Sequence, residues 1–510
     1  VMKQVFYILI VFLLAACYDD KGNYDYEEIN TITVLLDDVY SYRLDGDTTV
    51  CIIPELSQSL QKNRDNLEFM WVHSVINEFI EGHDDNDTIS RIDTLRFHIV
   101  PDDPDLEYEH YFRLNVYDKL TEINYPFNVK IKLVKPYDGA WMILHNENGH
   151  AALGAVEYMG NSILKTQDAY YKETGKRLEG MAQCLGNYIT YYYPYGRGEM
   201  FNLFSVITDK PEESGVMCQW KKFELMSPLT KMVYSSDQSR FNYSNVKLID
   251  GEASWGAVCL SDGVLFQSPA AMKLYKANIA ADLGDNIRIK YASKAGFGAI
   301  LYDEAGHRFC FYQNQSRSTT GDPNRFNPTD ENPSSYRINP VPKRDNNVTD
   351  VDVNNLPVEQ KVLWVGAGYE FDPNNSRGFY ANSVSIKGLD SCFVYEFNMD
   401  GMVSTVDGHP AFAGYYKLKL PEGMDENSCF ASTMSYSGIL FYTVGNVVYR
   451  LDFKQSGGKA TPVYTHAGGK ATMMKFAKKA KINTNYLDFT NYEFDPNRSL
   501  GIVFDMGNGK

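Results

Sequence analysis

The sequence has few basic residues and few long apolar runs. Its 510 residues include 49 Lys and Arg against 65 Asp and Glu, which gives a net charge of −16. An acidic chain repels phosphate backbones, and the sequence contains no local basic patch, so we expect no nucleic-acid partner. After residue 16, no stretch reaches the roughly 18 apolar residues that a membrane-spanning helix needs. The rest of the chain is therefore expected to fold outside the bilayer.

Cysteine is scarce and irregularly placed. Of the eight cysteines, no two have the CxxC spacing of a zinc or redox motif. The seven that follow Cys17 are an odd number, which favours buried free thiols over a disulfide framework. The sequence also lacks HExxH, GxSxG and a Walker loop, and no GxGxxG motif follows a strand. We expect neither a metal nor a cofactor, and no enzyme of those classes.

Aromatic residues, by contrast, are abundant. The chain contains 37 Tyr and 28 Phe, and aromatics make up 14% of all residues. Aromatic side chains suit strands and binding platforms better than exposed helices. The composition therefore predicts an all-β fold, and the length predicts more than one domain.

The first seventeen residues have the features of a targeting segment. Lys3 precedes an unbroken apolar run from Val5 to Ala16. Such a run is too short to span a bilayer and is typical of a signal peptide, here residues 1–16. The run ends in Leu14-Ala15-Ala16-Cys17, which resembles a bacterial lipoprotein box. The resemblance implies lipidation of Cys17, a tether over residues 17–25 and an anchor in the outer membrane.

Residues 26–135 are predicted to form a β-sandwich. Short alternating segments are separated by Asp, Asn, Gly and Pro, and Trp71 lies in the middle of one of them. Residues 111–118 read Tyr-Phe-Arg-Leu-Asn-Val-Tyr-Asp. This alternation of residues is similar to that in the penultimate strand of immunoglobulin-like and PKD-like domains.

The residues after the signal peptide carry a further resemblance. Residues 17–26 read Cys-Tyr-Asp-Asp-Lys-Gly-Asn-Tyr-Asp-Tyr. They resemble the start of PKD-like family lipoproteins of the Bacteroidetes, and Asp19 and Asp20 are similar to the surface-export signal of such lipoproteins. These lipoproteins accompany Sus-type importers. The resemblance implies a non-catalytic, surface-exposed accessory subunit of a SusC/SusD-like transporter complex that captures an oligosaccharide or a peptide.

Internal repeats predict a β-propeller-like domain over residues 139–510. Tyr369–Asn374 recurs letter for letter as Tyr492–Asn497. Repeated hairpins are typical of propeller blades, which bury their faces against their neighbours, and the length accommodates about six to eight blades. A second sandwich followed by a barrel is the alternative. The second copy ends before its next strand, so we expect the sequence to be truncated at the C-terminus.

A second internal repeat supports the same prediction. Gly263–Phe266 is followed by Tyr275, and Gly438–Phe441 is followed by Tyr449. Each copy indicates a hairpin with one apolar strand and one strand that carries Tyr. A polar stretch over residues 313–360 is predicted to be a long insertion in this domain.

The best candidate binding site is a Tyr-rich strand that enters a Gly-bounded loop. Tyr offers a flat apolar face and a hydroxyl at low entropic cost, which suits sugar stacking or peptide binding. The alternative is that these Tyr pack between blades. The candidate residues are Tyr188, Tyr191, Tyr192, Tyr193, Tyr195 and Arg197.

An alternative function is a surface-anchored β-propeller glycan hydrolase or lyase. Two carboxylates supplied by any two blades could carry such chemistry, but 65 acidic residues give no basis for selecting a pair. His145 and His150 flank Asn146–Gly149, which has the composition of a hairpin turn. We expect them to be turn residues rather than metal ligands.

Overall fold

The computed structural model divides the chain into two compact units. Unit 1 contains Val1–Pro136 and Met159–Ser162, and unit 2 contains Tyr137–Tyr158 and Ile163–Lys510. The predicted signal peptide, Cys17 and both copies of the Tyr-Glu-Phe-Asp-Pro-Asn repeat lie outside the described residues. The structure describes residues 29–46, 48–74, 87–100, 107–137, 139–159, 162–192, 199–218, 222–252, 256–268, 275–276, 278–279, 283–284, 286–295, 298–313, 337–368, 380–403, 409–432, 437–476 and 500–507.

The described part of unit 1 is built from β-strands. A five-stranded sheet has the order β2-β9-β8-β5-β6, and two further pairs are β1-β4 and β3-β7. The β2-β9 pair is parallel, and the other pairs are antiparallel. The strands are β1 Ile32–Leu35, β2 Val39–Arg43, β3 Thr48–Ile52, β4 Glu55–Gln58, β5 Leu67–Ser74, β6 Asp87–Ser90, β7 Leu95–Ile99, β8 Glu109–Asp118 and β9 Ile123–Val134.

The core of unit 1 follows the alternation of its sequence. In β8, Phe112, Leu114 and Val116 are fully buried, whereas the residues between them are partly or fully exposed. Trp71 is also fully buried, and its indole N–H donates to the carbonyl of Asp93 at 3.0 Å. The expected sandwich with a mid-strand Trp is confirmed. One face of each strand packs inward because successive side chains point to opposite sides.

A buried carboxylate joins three segments of unit 1. Asp118 accepts hydrogen bonds from the Asn30 and Asn66 amides at 2.9 and 2.7 Å. It also accepts from the Thr121 hydroxyl at 3.0 Å and the Leu120 backbone N–H at 3.1 Å. Burial acts to raise the pKa of Asp118, but the hydrogen bonds outweigh it and hold the pKa below its usual value. Asp118 therefore remains ionised and fixes these segments together.

The described residues of unit 2 form seven successive meanders, six of which have at least three strands, and the second and third are joined into one eight-stranded sheet. Sequential neighbours in a meander are antiparallel, as expected for strands joined by hairpins, whereas the short edge strand Asn278–Ile279 pairs in parallel with Arg337–Pro340. The strands are β10 Trp141–Glu147, β11 His150–Met159, β12 Ser162–Thr166; β13 Ala182–Tyr192, β14 Glu199–Thr208, β15 Gly215–Cys218, β16 Glu224–Pro228; β17 Val246–Glu252, β18 Gly256–Ser261, β19 Val264–Ser268, β20 Tyr275–Lys276; β21 Asn278–Ile279, β22 Ile289–Ala295, β23 Gly298–Asp303, β24 Arg308–Gln313, β25 Arg337–Pro340; β26 Gln360–Ala367, β27 Tyr380–Lys387, β28 Ser391–Asn398, β29 Phe412–Lys419; β30 Phe430–Ser432, β31 Ile439–Val444, β32 Val447–Asp452, β33 Lys459–Thr465; β34 Lys470–Phe476 and β35 Leu500–Asp505.

Short helices connect some of the strands. They are α1 Ala169–Thr174, α2 Leu229–Met232, α3 Met399–Val403 and a 3₁₀ turn at Gln238–Arg240. In the part of the chain that the structure describes, none of the helices has the length and hydropathy needed to cross a membrane.

The meanders are arranged in the manner of propeller blades. Successive meanders touch through one strand each, in the order β10, β13, β17, β22, β26, β30 and β34. At β13 and β17 this contact becomes a parallel pair, Tyr188 opposite Gly251. In β35, Gly501 lies against the Trp141 indole of β10, since a Cβ at Gly501 would come within 2.7 Å of the ring. The all-β, propeller-like fold predicted from the repeats is confirmed.

The second internal repeat, which begins at Gly263 and at Gly438, corresponds to two hairpins. Phe266 of β19 lies opposite Lys276 of β20, and Phe441 of β31 lies opposite Arg450 of β32. Gly263 and Gly438 have φ values of 80° and 87°, which favour glycine at these turns. Each copy is therefore an apolar strand paired with the Tyr-bearing strand that follows it.

The predicted insertion at residues 313–360 differs from the expected polar loop. Residues 314–336 lie outside the described residues. The second half contains β25, and Val341, Val353 and Leu356 pack in the core between two meanders. Widely spaced apolar residues anchor this segment, which is why it shows little periodicity in the sequence.

The seven cysteines after Cys17 have free thiols in the structure. Five of them are buried, and Cys51 is exposed on β3. Burial raises the pKa of the Cys184 thiol to about 11 and that of Cys392 to about 12. These thiols behave as small apolar core groups.

Candidate functional site

The Tyr-rich candidate site maps to the β13–β14 hairpin. The structure gives the backbone register of the β13 residues, with Tyr188 opposite Leu203 and Tyr192 opposite Glu199. The side chains of residues 187–203 are not among those described. Of the six candidates, Tyr188, Tyr191 and Tyr192 lie in β13, and Tyr193, Tyr195 and Arg197 lie outside the described residues.

The described pairing differs on the two sides of this hairpin. β14 pairs with β15 over Phe204–Val206, and the β13–β14 ladder continues to Tyr192 and Glu199. On the other side, Tyr188 of β13 pairs with Gly251 of β17. Tyr188 therefore lies within the sheet, whereas Tyr192 lies at the end of the hairpin ladder.

A second candidate site is a pocket at the start of unit 2. It has a volume of about 300 Å³ and lies between the β10–β11 turn, the end of β12 and helix α1. Its walls combine carboxylates, amides, a hydroxyl, an aromatic ring and a guanidinium. The lining residues are Glu147, Asn148, Thr166, Gln167, Asp168, Tyr171 and Arg177.

A tight turn forms one wall of the pocket. Glu147 pairs with His150 at the end of the β10–β11 ladder, and Asn148 and Gly149 between them have φ values of 51° and 85°. Asn-Gly with two positive φ values is the preferred two-residue hairpin turn. The predicted hairpin between His145 and His150 is confirmed, and the turn places Glu147 and Asn148 at the pocket.

Helix α1 forms the opposite wall. Asp168 caps the helix, because its Oδ1 accepts the backbone N–H of Tyr171 at 3.0 Å. Gly175, with φ of 70°, ends the helix. Tyr171 is 49% exposed, and the Arg177 guanidinium lies 5.5 Å from the centre of its ring. The caps thus fix an aromatic ring and a cation beside the pocket.

Hydrogen bonds connect the two walls. The Gln167 amide donates to Glu147 Oε1 at 2.7 Å, and His145 Nε2 lies 3.3 Å from the Gln167 carbonyl. The Arg177 guanidinium donates to His150 Nε2. His150 accepts this hydrogen bond at Nε2, and its buried Nδ1 has no partner among the described residues. This network holds the pocket residues in place.

The pocket supports binding of a polar ligand. Tyr171 presents an apolar face, while Glu147 and Asp168 accept hydrogen bonds and Arg177 donates them. Within the described ranges, no group of three or more His, Cys, Asp or Glu side chains has the spacing of a metal site. Convergent polar groups fix the orientation of a ligand in small-molecule sites, although the lining here is more polar than in most of them.

Of the pocket elements, only the turn that carries Glu147 was predicted from the sequence. The Asp168 cap and Gly175, seven residues apart, are a recognisable helix signature. However, the pocket depends on the contact between α1 and a turn about twenty residues earlier. No spacing rule predicts that contact.

Unit 1 contains a second cluster of titratable groups. His73 Nε2 and His110 Nδ1 are 3.0 Å apart, and the His73 ring lies 5.3 Å from Phe97 and 4.8 Å from Phe112. Burial, with the neighbouring His110, lowers the pKa of His73 from 6.5 to about 4. Burial also lowers the pKa of His110. Both rings are neutral at pH 7 and act as core groups.

The N-terminal part of the chain matches a known protein family. The model of the PKD-like family matches residues 17–181. Residues 17–181 form a PKD-like family domain. The match begins at Cys17, spans the described strands of unit 1 and includes the pocket residues up to Arg177. No curated protein matches the chain in sequence.

Several solved structures resemble the chain at low identity. Citrobacter koseri AztD is 10% identical, with a TM-score of 0.34 over 87% of this chain and 99% of that one. The WD40 domain of SCAP from fission yeast is 6% identical, with a TM-score of 0.33 over 71% and 85%. The rhamnogalacturonan lyase YesW is 10% identical, with a TM-score of 0.21 over 92% and 67%. These similarities favour neither catalysis nor binding.

Proposed function

We propose that the protein is a non-catalytic surface lipoprotein that captures an oligosaccharide or a peptide. In this proposal, Cys17 carries the lipid and the outer membrane holds the protein beside a SusC/SusD-like transporter complex. Tethering raises the effective concentration of captured ligand near the transporter without a new contact. The Leu14–Cys17 box supports the lipid anchor.

The pocket of unit 2 is the observation that carries the capture function. Both carboxylates of the pocket make hydrogen bonds within the protein. Glu147 accepts from the Gln167 amide, and Asp168 caps α1. The exposed Tyr171 ring and Arg177 complete the polar lining of this open cleft. Side chains that hydrogen bonds already hold in place lose little entropy on binding.

The same pocket also favours one alternative, a surface-anchored glycan hydrolase or lyase. Glu147 and Asp168 both line it, and glycosidases use a pair of carboxylates. The two functions differ in whether bound glycan is cleaved. New reducing ends released from a bound oligosaccharide, and lost in a Glu147→Gln variant, would favour the enzyme.

Cell fractionation tests the location and the partner. In cells producing the full-length chain, we expect the protein in the outer membrane and accessible to added protease. The Cys17→Ala variant should be released from the membrane, whereas Cys51→Ala should behave as the wild type. Purification in mild detergent should recover the transporter pair. A wild-type protein found free in the periplasm, or purified without any transporter, would contradict the proposal.

A further inference from the structure

We propose that the pocket between the β10–β11 turn and α1 binds a neutral, hydroxyl-bearing sugar unit in preference to an acidic sugar or a peptide. This inference rests on the proposed capture function and narrows its ligand class. It depends on the charge, the hydrogen-bonding groups and the aromatic surface of the pocket.

The charge of the pocket disfavours acidic ligands. Glu147, Asp168 and Arg177 together carry one net negative charge at pH 7. Arg177 is already engaged, since it donates to His150 and stacks on Tyr171. A uronate or sulfate would lose its hydration and meet two carboxylates with only this shared cation to compensate.

The hydrogen-bonding groups require donors on the ligand. Gln167 occupies Glu147 Oε1, and the α1 cap occupies Asp168 Oδ1. Glu147 Oε2 and Asp168 Oδ2 have no hydrogen-bond partner among the described residues. Two carboxylate oxygens thus remain as acceptors in one pocket. Vicinal hydroxyls of a sugar supply donors at the matching short spacing.

A peptide amine matches the pocket less completely. An ammonium group donates to the carboxylates but accepts nothing. The amide of Asn148 and the hydroxyls of Thr166 and Tyr171 would then depend on the backbone carbonyls of the peptide, which are separate from the group that the carboxylates bind. A sugar hydroxyl both donates and accepts, so it satisfies both kinds of group at once.

The aromatic surface is suited to a sugar ring. Tyr171 is 49% exposed although Arg177 lies near its ring, so half of its surface remains open. The C–H face of a neutral pyranose is apolar and packs against such a surface, while its hydroxyls reach the polar rim. The volume of about 300 Å³ lies at the lower end of ligand pockets and suits a single unit of an oligosaccharide.

Binding measurements on the purified chain from Gly22 onward test this inference. The probes are an array of neutral oligosaccharides of glucose, galactose and mannose, oligogalacturonates of matching length, and a tripeptide with a free amino terminus. We expect at least one neutral glycan to bind roughly tenfold more tightly than any acidic one or the tripeptide. Tyr171→Ala and Glu147→Gln should each weaken that binding by about tenfold.

A matched variant separates local from global effects. Tyr464→Ala removes a Tyr of similar exposure in β33 and should leave binding unchanged. Tyr171-dependent binding of oligogalacturonate or of the tripeptide would overturn the sugar assignment but leave capture intact. Absence of any Tyr171-dependent binding would overturn the pocket assignment and the capture function that rests on it, whereas the membrane location and the transporter partner are tested separately by fractionation.

Discussion

Mild acid should destabilise unit 1 through its paired histidines. Because the folded-state pKa of His73 is about 4 and the ordinary value is 6.5, the unfolded chain binds the proton more tightly between these values. Stability is therefore full above pH 6.5 and falls as the pH drops toward 4. If the full pKa shift of His73 applied, lowering the pH from 7 to 5 would reduce the free energy of unfolding by about 2 kcal/mol. We halve this loss to about 1 kcal/mol because the ring is partly solvated.

Urea unfolding at pH 7 and pH 5 measures this loss, with the unit 1 transition assigned from proteolytic fragments. The ordinary carboxyl groups change little in this window, so histidines dominate the difference. His73→Phe should remove most of the pH dependence, whatever its effect on stability at pH 7. His98→Gln alters an exposed ring on β7 and should retain the wild-type dependence. Equal pH dependence in His73→Phe and the wild type would refute the reasoning.

Three further perturbations follow from buried groups. Asp118→Ala should lower the free energy of unfolding of unit 1 by about 3 kcal/mol in urea titrations, because it leaves the Asn30 and Asn66 amides without this acceptor. An unchanged midpoint would contradict this. Lys454→Met should destabilise unit 2 by about 3 kcal/mol in thermal melts. The Glu396 side chain is only 7% exposed and pairs with Lys454 at 3.0 Å, so the variant leaves a buried carboxylate without its cation. The control Lys459→Met should not destabilise unit 2. In a Cys17→Ser chain, Cys51 should react with a thiol reagent far faster than the buried cysteines; rapid modification of several thiols would disprove the packing.

The fold was predictable from the sequence because its signals are local. Alternation in β8 placed Phe112, Leu114 and Val116 inward, and that period of two survives in the structure. The segments that begin at Gly263 and Gly438 indicated hairpins because an apolar stretch is followed by one that carries Tyr. Each of these signals spans at most about thirteen residues, within the reach of strand and turn rules.

The pocket was not predictable by the same rules. Tyr171 and Glu147 come together only because α1 packs beside the β10–β11 turn, and this packing depends on the whole first meander. Val341 and Val353 were similarly hidden, since their burial depends on contacts with distant strands rather than on a repeating pattern. The Tyr-rich segment attracted attention through composition, which identifies a strand but not what its side chains contact.

The most direct test of capture without catalysis is to follow a bound glycan over time. A neutral oligosaccharide selected from the array is incubated with the purified chain, and binding and reducing ends are measured in the same sample. The account predicts Tyr171-dependent binding and recovery of intact oligosaccharide after prolonged incubation. Steady release of new reducing ends by the wild type, abolished in Glu147→Gln, would contradict it.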